Sequence, residues 1–230
     1  MLRPRKRISK KELKQDALVK TYVKATSFYE QNKRYLNIGV TALVVLIIGT
    51  VFYVNNRNAN NEKASTALGE IYQYYDKAQY QVAIDGIPER NVSGLQSIVD
   101  NYGSTPAGEL ARFYLANALF QLERYDEALD MFDEFDPGGD QLLTVSRLSG
   151  IAGCHEGLGN FEEAAEFFEK AATDYSDDLN AAENMNNAAR NFARAGDKER
   201  ALALYRKLKK QYPTTSFGRE AERYITELTV

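Results

Sequence analysis

No charged residue interrupts positions 38–54, where only Gly and Thr break a run of Val, Leu, Ile, Ala, Phe and Tyr. An apolar surrounding leaves backbone N–H and C=O groups no water to bond, so such a run is expected to form a helix that pairs its own groups. At about 1.5 Å per residue, residues 35–54 reach roughly 30 Å, the thickness of a hydrocarbon core. Tyr35 at one end and Phe52 with Tyr53 at the other stand where interfacial aromatics belong. A buried core helix of this length would carry polar residues along one side, and this one does not. The run is therefore read as a transmembrane helix that divides the chain.

Charge gives that helix a direction. The formal net charge of the 230 residues is -3, but residues 1–34 hold eleven Lys and Arg against Glu12, Asp16 and Glu30, a net of +8. The remainder is -11. Basic segments beside a span stay on the cytoplasmic side, where they also meet anionic lipid. Residues 1–34 are therefore expected inside and residues 55–230 outside, which in a bacterium is the periplasm. An acidic main domain also disfavours a nucleic-acid partner. A cleavable signal peptide is the rival reading. Against it stand the long basic leader and the bulky exit Asn55-Asn56-Arg57-Asn58. No cysteine follows the run, which excludes lipoprotein processing, and the single Cys154 allows no internal disulfide.

Residues 1–11 read as a disordered cationic stretch. Over 12–33, Leu13, Ala17, Leu18, Tyr22, Ala25, Phe28 and Tyr29 recur at helical steps between lysines. Two readings stay open there: an interfacial helix on the inner leaflet, or an extension of the span. The Asn-rich residues 55–61 read as a polar exit linker.

From Glu62 onward no alternation suggests strands. Instead a turn recurs. Leu158-Gly159-Asn160-Phe161-Glu162-Glu163-Ala164 is matched by Leu122-Glu123-Arg124-Tyr125-Asp126-Glu127-Ala128, 36 residues earlier. It is matched again by Ala195-Gly196-Asp197-Lys198-Glu199-Arg200-Ala201, 37 residues later. Small residues stand at fixed places on either side: Ala116, Ala152 and Ala189 before the turn, and Ala128, Ala164 and Ala201 after it. Bulky residues also keep their register, with Leu119, His155 and Phe192 in the first helix and Phe132, Phe168 and Tyr205 in the second. Small residues let paired helices approach, and large ones fill the space between them. A second internal match, at an offset of 110, relates Tyr102-Gly103-Ser104-Thr105-Pro106-Ala107-Gly108 to Tyr212-Pro213-Thr214-Thr215-Ser216-Phe217-Gly218.

This pattern resembles the tetratricopeptide repeat, a helix–turn–helix unit of about 34 residues. The resemblance covers residues 109–213. Pro213 stands where the motif ends a unit with proline, while Asp140 and Ser176 stand there in the two earlier units. The expected fold is all-α: one N-terminal transmembrane helix, then an α-solenoid. The solenoid has three recognisable repeats, a degenerate first repeat (helices near 64–80 and 94–102, with a turn-rich insertion at Asp85-Gly86-Ile87-Pro88) and a C-terminal capping helix at 217–228. The domains are thus 1–34, a basic cytoplasmic tail with an amphipathic helix; 35–54, the span; and 55–230, the repeat domain.

Catalytic sets are absent from this reading. His155 is the one histidine and stands at an interface-filling position. Its neighbour Cys154 diverges from it on a helix, so the two do not make a dyad. The acidic groups at helix ends have no EF-hand spacing, and Gly138-Gly139 lacks a phosphate-binding pattern. The expectation is a binding protein that is not an enzyme, with no cofactor and no metal.

In the tetratricopeptide family the first helix of each unit lines a binding groove. The resemblance places the groove at Leu110, Phe113, Asn117, Phe120 and Gln121, then at Ser146, Ser149, Gly153, Glu156 and Gly157. In the third unit it falls at Glu183, Asn186, Arg190, Ala193 and Arg194. The groove would grade from aromatic, through small and open, to basic. Phe113 and Phe120 would hold apolar side chains; Asn117, Arg190 and Arg194 would hold backbone or carboxylate groups. Phe113, Asn117, Phe120, Glu156, Asn186, Arg190 and Arg194 are the candidate partner-binding residues.

The whole layout also resembles the single-span ancillary subunit of the bacterial Sec translocon, and more closely the membrane-anchored tetratricopeptide proteins of Bacteroidetes and Chlorobi-type bacteria. Lys33-Arg34-Tyr35 before the span and the 102–108 segment after it bear that likeness. It implies an inner-membrane protein whose periplasmic domain acts as scaffold or chaperone in protein export or envelope assembly. Its partners would be translocon subunits, periplasmic chaperones or unfolded clients. The alternative is a cell-envelope organiser of peptidoglycan-synthesis or division proteins.

Overall fold

A computed structural model describes residues 10–229, with side chains described from 18 to 229. Of the stretch 1–11 expected to be disordered, 1–9 lies outside the described residues, as do the side chains of Leu13 and Ala17, whereas Lys10 and Lys11 are already helical. Two compact units divide between Asn56 and Arg57.

The first unit is the opening part of a long helix, α1 (Lys10–Asp76). No break separates the basic segment from the apolar run, so 12–33 extends the apolar helix rather than forming a separate element. Among the described residues α1 is the helix long and apolar enough to cross a membrane, and none of its apolar window is buried by protein. Thr50 Oγ1 donates to the Leu46 carbonyl at 2.8 Å, so that hydroxyl is paired within the helix.

The second unit begins with the end of α1 and continues through α2 (Tyr80–Asp85), α3 (Leu95–Tyr102), α4 (Pro106–Gln121), α5 (Tyr125–Glu134), α6 (Gln141–Gly157), α7 (Phe161–Asp174), α8 (Ala181–Ala195), α9 (Lys198–Gln211) and α10 (Ser216–Thr229). Each helix from α3 to α9 packs on its successor, and α4 also meets α6 as α8 meets α10. This is the expected helical solenoid, with α4–α5, α6–α7 and α8–α9 as its units and α10 as the cap.

Three sequence expectations are corrected. Residues 55–61 are helical rather than a linker. Asn costs only a few tenths of a kcal/mol against better helix formers, and tertiary contacts hold it: Asn61 Oδ1 accepts from the Ala107 N–H at 2.8 Å, and Arg57 Nε donates to the Ser104 carbonyl at 3.3 Å. Asn61 thus satisfies one of the orphan donors at the start of α4. Second, the helix expected to reach residue 80 ends at Asp76, where Ala78 takes a left-handed φ of 56° before α2 starts. Third, the insertion holds a small antiparallel ladder, β1 (Gly86–Ile87) with β2 (Val92–Ser93), pairing Gly86 with Ser93 and Ile87 with Val92. Two residues per strand are too few for an alternation to be legible.

The repeat positions pack as the sequence pattern implies. Ala116, Ala152, Ala189, Ala128, Ala164 and Ala201 are all fully buried, with Phe132, Phe168, Tyr205, Leu119 and Phe192 buried beside them. His155 is half-buried, its ring stacked on Phe167 at 5.6 Å. One apolar cluster gathers α1 to α5 with Ile151 and Cys154 of α6, and another joins α6 to α10. Where the motif has proline, Asp140 instead caps α6, its Oδ1 accepting from the Leu143 N–H at 2.9 Å.

Burial also governs titration. Desolvation pushes the Cys154 thiol up to about 12, with Asp133 and Asp126 adding to the rise. Burial likewise raises Tyr75 and Tyr205 to about 12, helped by Tyr80 and Tyr224 respectively. All three folded values lie above the unfolded ones, so the folded chain keeps protons that the unfolded chain has lost. Their stabilisation is whole below about pH 9 and is lost as pH rises toward about 12. Melting temperature is expected to fall across that window, and less steeply in Cys154→Ala. At pH 8 iodoacetamide should spare Cys154 until the chain is unfolded in guanidinium; rapid labelling of folded protein would contradict the buried thiol.

Candidate functional site

The first helices of the three units, α4, α6 and α8, bear every groove residue named by sequence, and the structure sorts these into three environments.

The aromatic stretch is packed rather than open. Phe113 is half-buried, with its ring 5.3 Å from Phe135 and 6.2 Å from Phe132. Phe120 meets Tyr125 edge-on at 5.5 Å and turns toward α6, where a Cβ on Gly153 would stand 3.0 Å from its ring. Asn117 Nδ2 donates to its own helix, at the Phe113 carbonyl. The expectation of an open middle at Gly153 and Gly157 is therefore corrected. Phe120 occupies the space over Gly153, and Tyr125 stands over Gly157, where a Cβ would come within 2.6 Å of the ring. Along α6 the missing side chains make room for aromatic rings.

The polar slot between α6 and α8 was legible only in part. Ser146, Ser149, Asn180, Glu183, Asn184 and Asn187 line a cavity of about 290 Å³. Ser149 Oγ donates to Asn184 Oδ1 at 2.9 Å. Asn184, Asn186 and Asn191 are at most 9 % exposed. Asn184 Nδ2, Asn186 Oδ1 and Asn191 Oδ1 are buried without a hydrogen-bond partner among the described residues. An unpaired buried amide atom costs on the order of 1–3 kcal/mol, so three along one helix is an unusual concentration. Asn186 was expected in the groove. Asn184 was missed, although the density of Asn in Asn184-Met185-Asn186-Asn187 on an otherwise Ala-rich helix is a visible signal.

At the basic end the structure brings Glu156, Arg190 and Arg194 together. Glu156 accepts from Arg190 Nη2 at 2.8 and 3.0 Å, from Arg194 Nη1 at 2.8 Å and from Asn191 Nδ2 at 2.9 Å. Arg194 also lies over the Phe161 ring at 3.9 Å. The two arginines are half-exposed, yet they already hold a carboxylate from the preceding unit. Charge-assisted bonds of this kind fix both guanidinium planes. Among the described residues no group of three His, Cys, Asp or Glu gathers to hold a metal. His155 Nδ1 is buried without a partner among the described residues, and the ring packs against Phe167.

Comparison with known proteins agrees with this architecture. Family models for the tetratricopeptide repeat match residues 95–141 and residues 144–213. The first match takes in α3, the second helix of the degenerate opening unit. No curated protein sequence matches the chain. Among solved structures, the chain is similar to a Podosopora anserina protein described as a putative kinesin light chain with nearly identical TPR-like repeats, and to a singly substituted form of that same protein. Each is 14 % identical with a TM-score of 0.56, covering 73 % of this chain and 86 % or 85 % of the other. At that identity the likeness speaks for the fold.

Proposed function

We propose that this tetratricopeptide-repeat protein is a membrane-anchored scaffold that grips an extended segment of a protein partner along α6 and α8. Repeats of this kind serve protein–protein interaction. The observation that carries the reading is the slot at Ser149 and Asn184, where the buried Asn184 Nδ2 stands unpaired among the described residues. An extended backbone offers alternating N–H and C=O groups every few ångströms, and carboxamides can meet both kinds. Filling such sites restores bonds that the free protein lacks, so binding gains where the fold is locally under-satisfied. A slot lined by short polar side chains favours main-chain contact over large anchoring residues.

The apolar helix at 35–54 then acts as a tether. The absence of charge over 38–54, the +8 of residues 1–34 and the acidic remainder support a single pass through a bacterial inner membrane, with residues 55–230 in the periplasm. In that setting, extended clients and their handling factors are the partners to expect, which favours export or envelope assembly.

The test places a photo-crosslinking amino acid at Ser146, at the slot, and at Glu163, exposed on α7. In living cells Ser146 should capture protein partners, among them translocon subunits or unfolded clients, and Glu163 should not. Equal capture at both sites, or none at Ser146, overturns the slot. Capture of division proteins instead would make the chain an organiser of envelope synthesis. In spheroplasts, added protease should remove residues 55–230; complete protection would reverse the topology.

A further inference from the structure

The turn before α4 and the loop between α5 and α6 border a cavity of about 310 Å³ beside Arg57. Its floor is apolar: Pro106, Leu110, Phe135 and Leu143 line it, and Phe135 is buried. Arg57 stands at the edge in a fixed posture. Its Nε donates to the Ser104 carbonyl at 3.3 Å, which leaves Nη1 and Nη2 without a described partner. Asp136, on the loop, lines the same cavity. Its Oδ1 accepts from the Gly138 N–H at 2.9 Å, and its Oδ2 has no described partner. Among the described residues neither Arg57 nor Asp136 forms an ion pair, with the other or with a third group.

A cavity with an unpaired cation and an unpaired carboxylate over an apolar floor complements a ligand that carries both charges. The balance between the two sides narrows the choice. Glu109 also lines the cavity; its Oε2 accepts from the Asp136 N–H at 3.1 Å and faces Arg112 Nε at 3.4 Å. Arg112 is shared with Glu134, so these three groups together carry -1, and adding Arg57 and Asp136 leaves the total at -1. A simple anion is therefore disfavoured, and the carboxylate side calls for a cationic group. Position narrows the choice further. Arg57 follows Val54 by three residues on α1, a rise of about 4.5 Å. The headgroup layer outside a hydrocarbon core is roughly 5–7 Å deep on each side. With 35–54 as a span, Arg57 and the Ser104 carbonyl bonded to it stand at headgroup level.

We propose that this cavity binds the headgroup of a zwitterionic phospholipid with a primary amine, phosphatidylethanolamine, its phosphate on the Arg57 fork and its ammonium on Asp136 and Glu109. A primary ammonium offers three N–H donors to the carboxylate oxygens, and a choline headgroup offers none. The volume lies at the lower end for a ligand site and suits a headgroup, with the glycerol end on Leu110 and Leu143 and the acyl chains left in the bilayer. The proposal rests on the reading of 35–54 as a span. It gives the turn before α4 and the α5–α6 loop a hold on the bilayer of their own.

The test takes the full chain in dodecyl maltoside micelles, adds phosphatidylethanolamine, phosphatidylcholine or phosphatidylglycerol with matched acyl chains, and counts retained lipid by native mass spectrometry. Phosphatidylethanolamine should be retained about tenfold more strongly than either other lipid. Asp136→Asn should erase the preference over phosphatidylcholine, and Arg57→Gln should abolish retention of the bound lipid. Unchanged thermal melts show that the variants fold. Equal retention of the three lipids by the unaltered protein, or a preference that survives both substitutions, overturns the proposal. Glycerophosphoethanolamine, the same headgroup without acyl chains, should compete only in large excess; competition at equal concentration makes a free headgroup the ligand and overturns the lipid assignment. In cells, a photo-crosslinking amino acid at Leu143 should gain a lipid-sized mass, and a protein adduct there overturns the proposal by giving the cavity to a partner chain. Release of the chain from membranes by alkaline carbonate removes the span reading itself, whereas a chain that stays in the membrane yet retains the three lipids alike removes this site alone.

Discussion

Gly108→Ala is expected to lower stability by roughly 3 kcal/mol, a fall in Tm of about 6–12 °C for a domain of this size. Local propensity argues the other way, since replacing Gly by Ala inside a helix gains about 1 kcal/mol. The site decides the sign. A Cβ at Gly108 would stand 1.9 Å from the Tyr102 carbonyl oxygen and 2.4 Å from its carbon. Backbone cannot swing aside as a flexible side chain can. The close approach belongs to a small device: Thr105 Oγ1 donates to the Tyr102 carbonyl at 2.8 Å and accepts from the Gly108 N–H at 3.1 Å, capping α4. The same device recurs at α10, where Thr215 bonds the Tyr212 carbonyl and the Gly218 N–H at 2.8 and 3.0 Å. Gly218→Ala meets an identical 1.9 Å collision with Tyr212. Because α10 packs chiefly on α9 alone, its loss should appear as local loss of hydrogen-exchange protection rather than as a large fall in Tm. A rise in Tm for Gly108→Ala would show that the turn relaxes freely and that propensity wins.

Gly150→Val should be comparably severe, at roughly 3 kcal/mol. A Cβ there would lie 2.4 Å from Phe132 Cζ and within 2.7 Å of both neighbouring ring carbons. Phe132 is itself only 1 % exposed, so the ring has nowhere to retreat. Calorimetry of a double-mutant cycle tests the cause. Phe132→Leu alone should destabilise, but combined with Gly150→Val it should cost less than the two single effects together, because the smaller side chain yields the space. Simple additivity would place the strain somewhere other than this contact.

These two glycines show where sequence reasoning stopped. The offset of 110 residues exposed the Tyr102–Gly108 and Tyr212–Gly218 segments as equivalents, and the structure supplies the reason for their likeness, a threonine cap and a carbonyl pressed against a glycine. Along α6, helical spacing sets Gly150, Gly153 and Gly157 on one face. The resemblance made the last two an open groove floor, whereas the rings of Phe132, Phe120 and Tyr125 fill that face. Periodicity tells which side a residue faces, but the occupant of the space comes from other helices. Arg190 and Arg194, four residues apart on α8, share a face. Their bond to Glu156, 34 and 38 residues distant, depends on how one unit stacks on the next.

By itself the sequence determined what repeats locally: the helix–turn–helix period, the fully buried alanines at fixed register, the uncharged 38–54 run and the charge asymmetry around it. Those properties follow from backbone pairing, side-chain size and charge, all carried by residues near one another in the chain. Only the tertiary structure decided that the Asn-rich exit is helical, that the aromatic and glycine positions pack shut, that three buried amide atoms stand unpaired and that the paired arginines already hold a carboxylate. Each of these turns on distances of a few ångströms between groups far apart in sequence. The free energy of an unpaired amide or a misplaced methyl changes steeply over those distances.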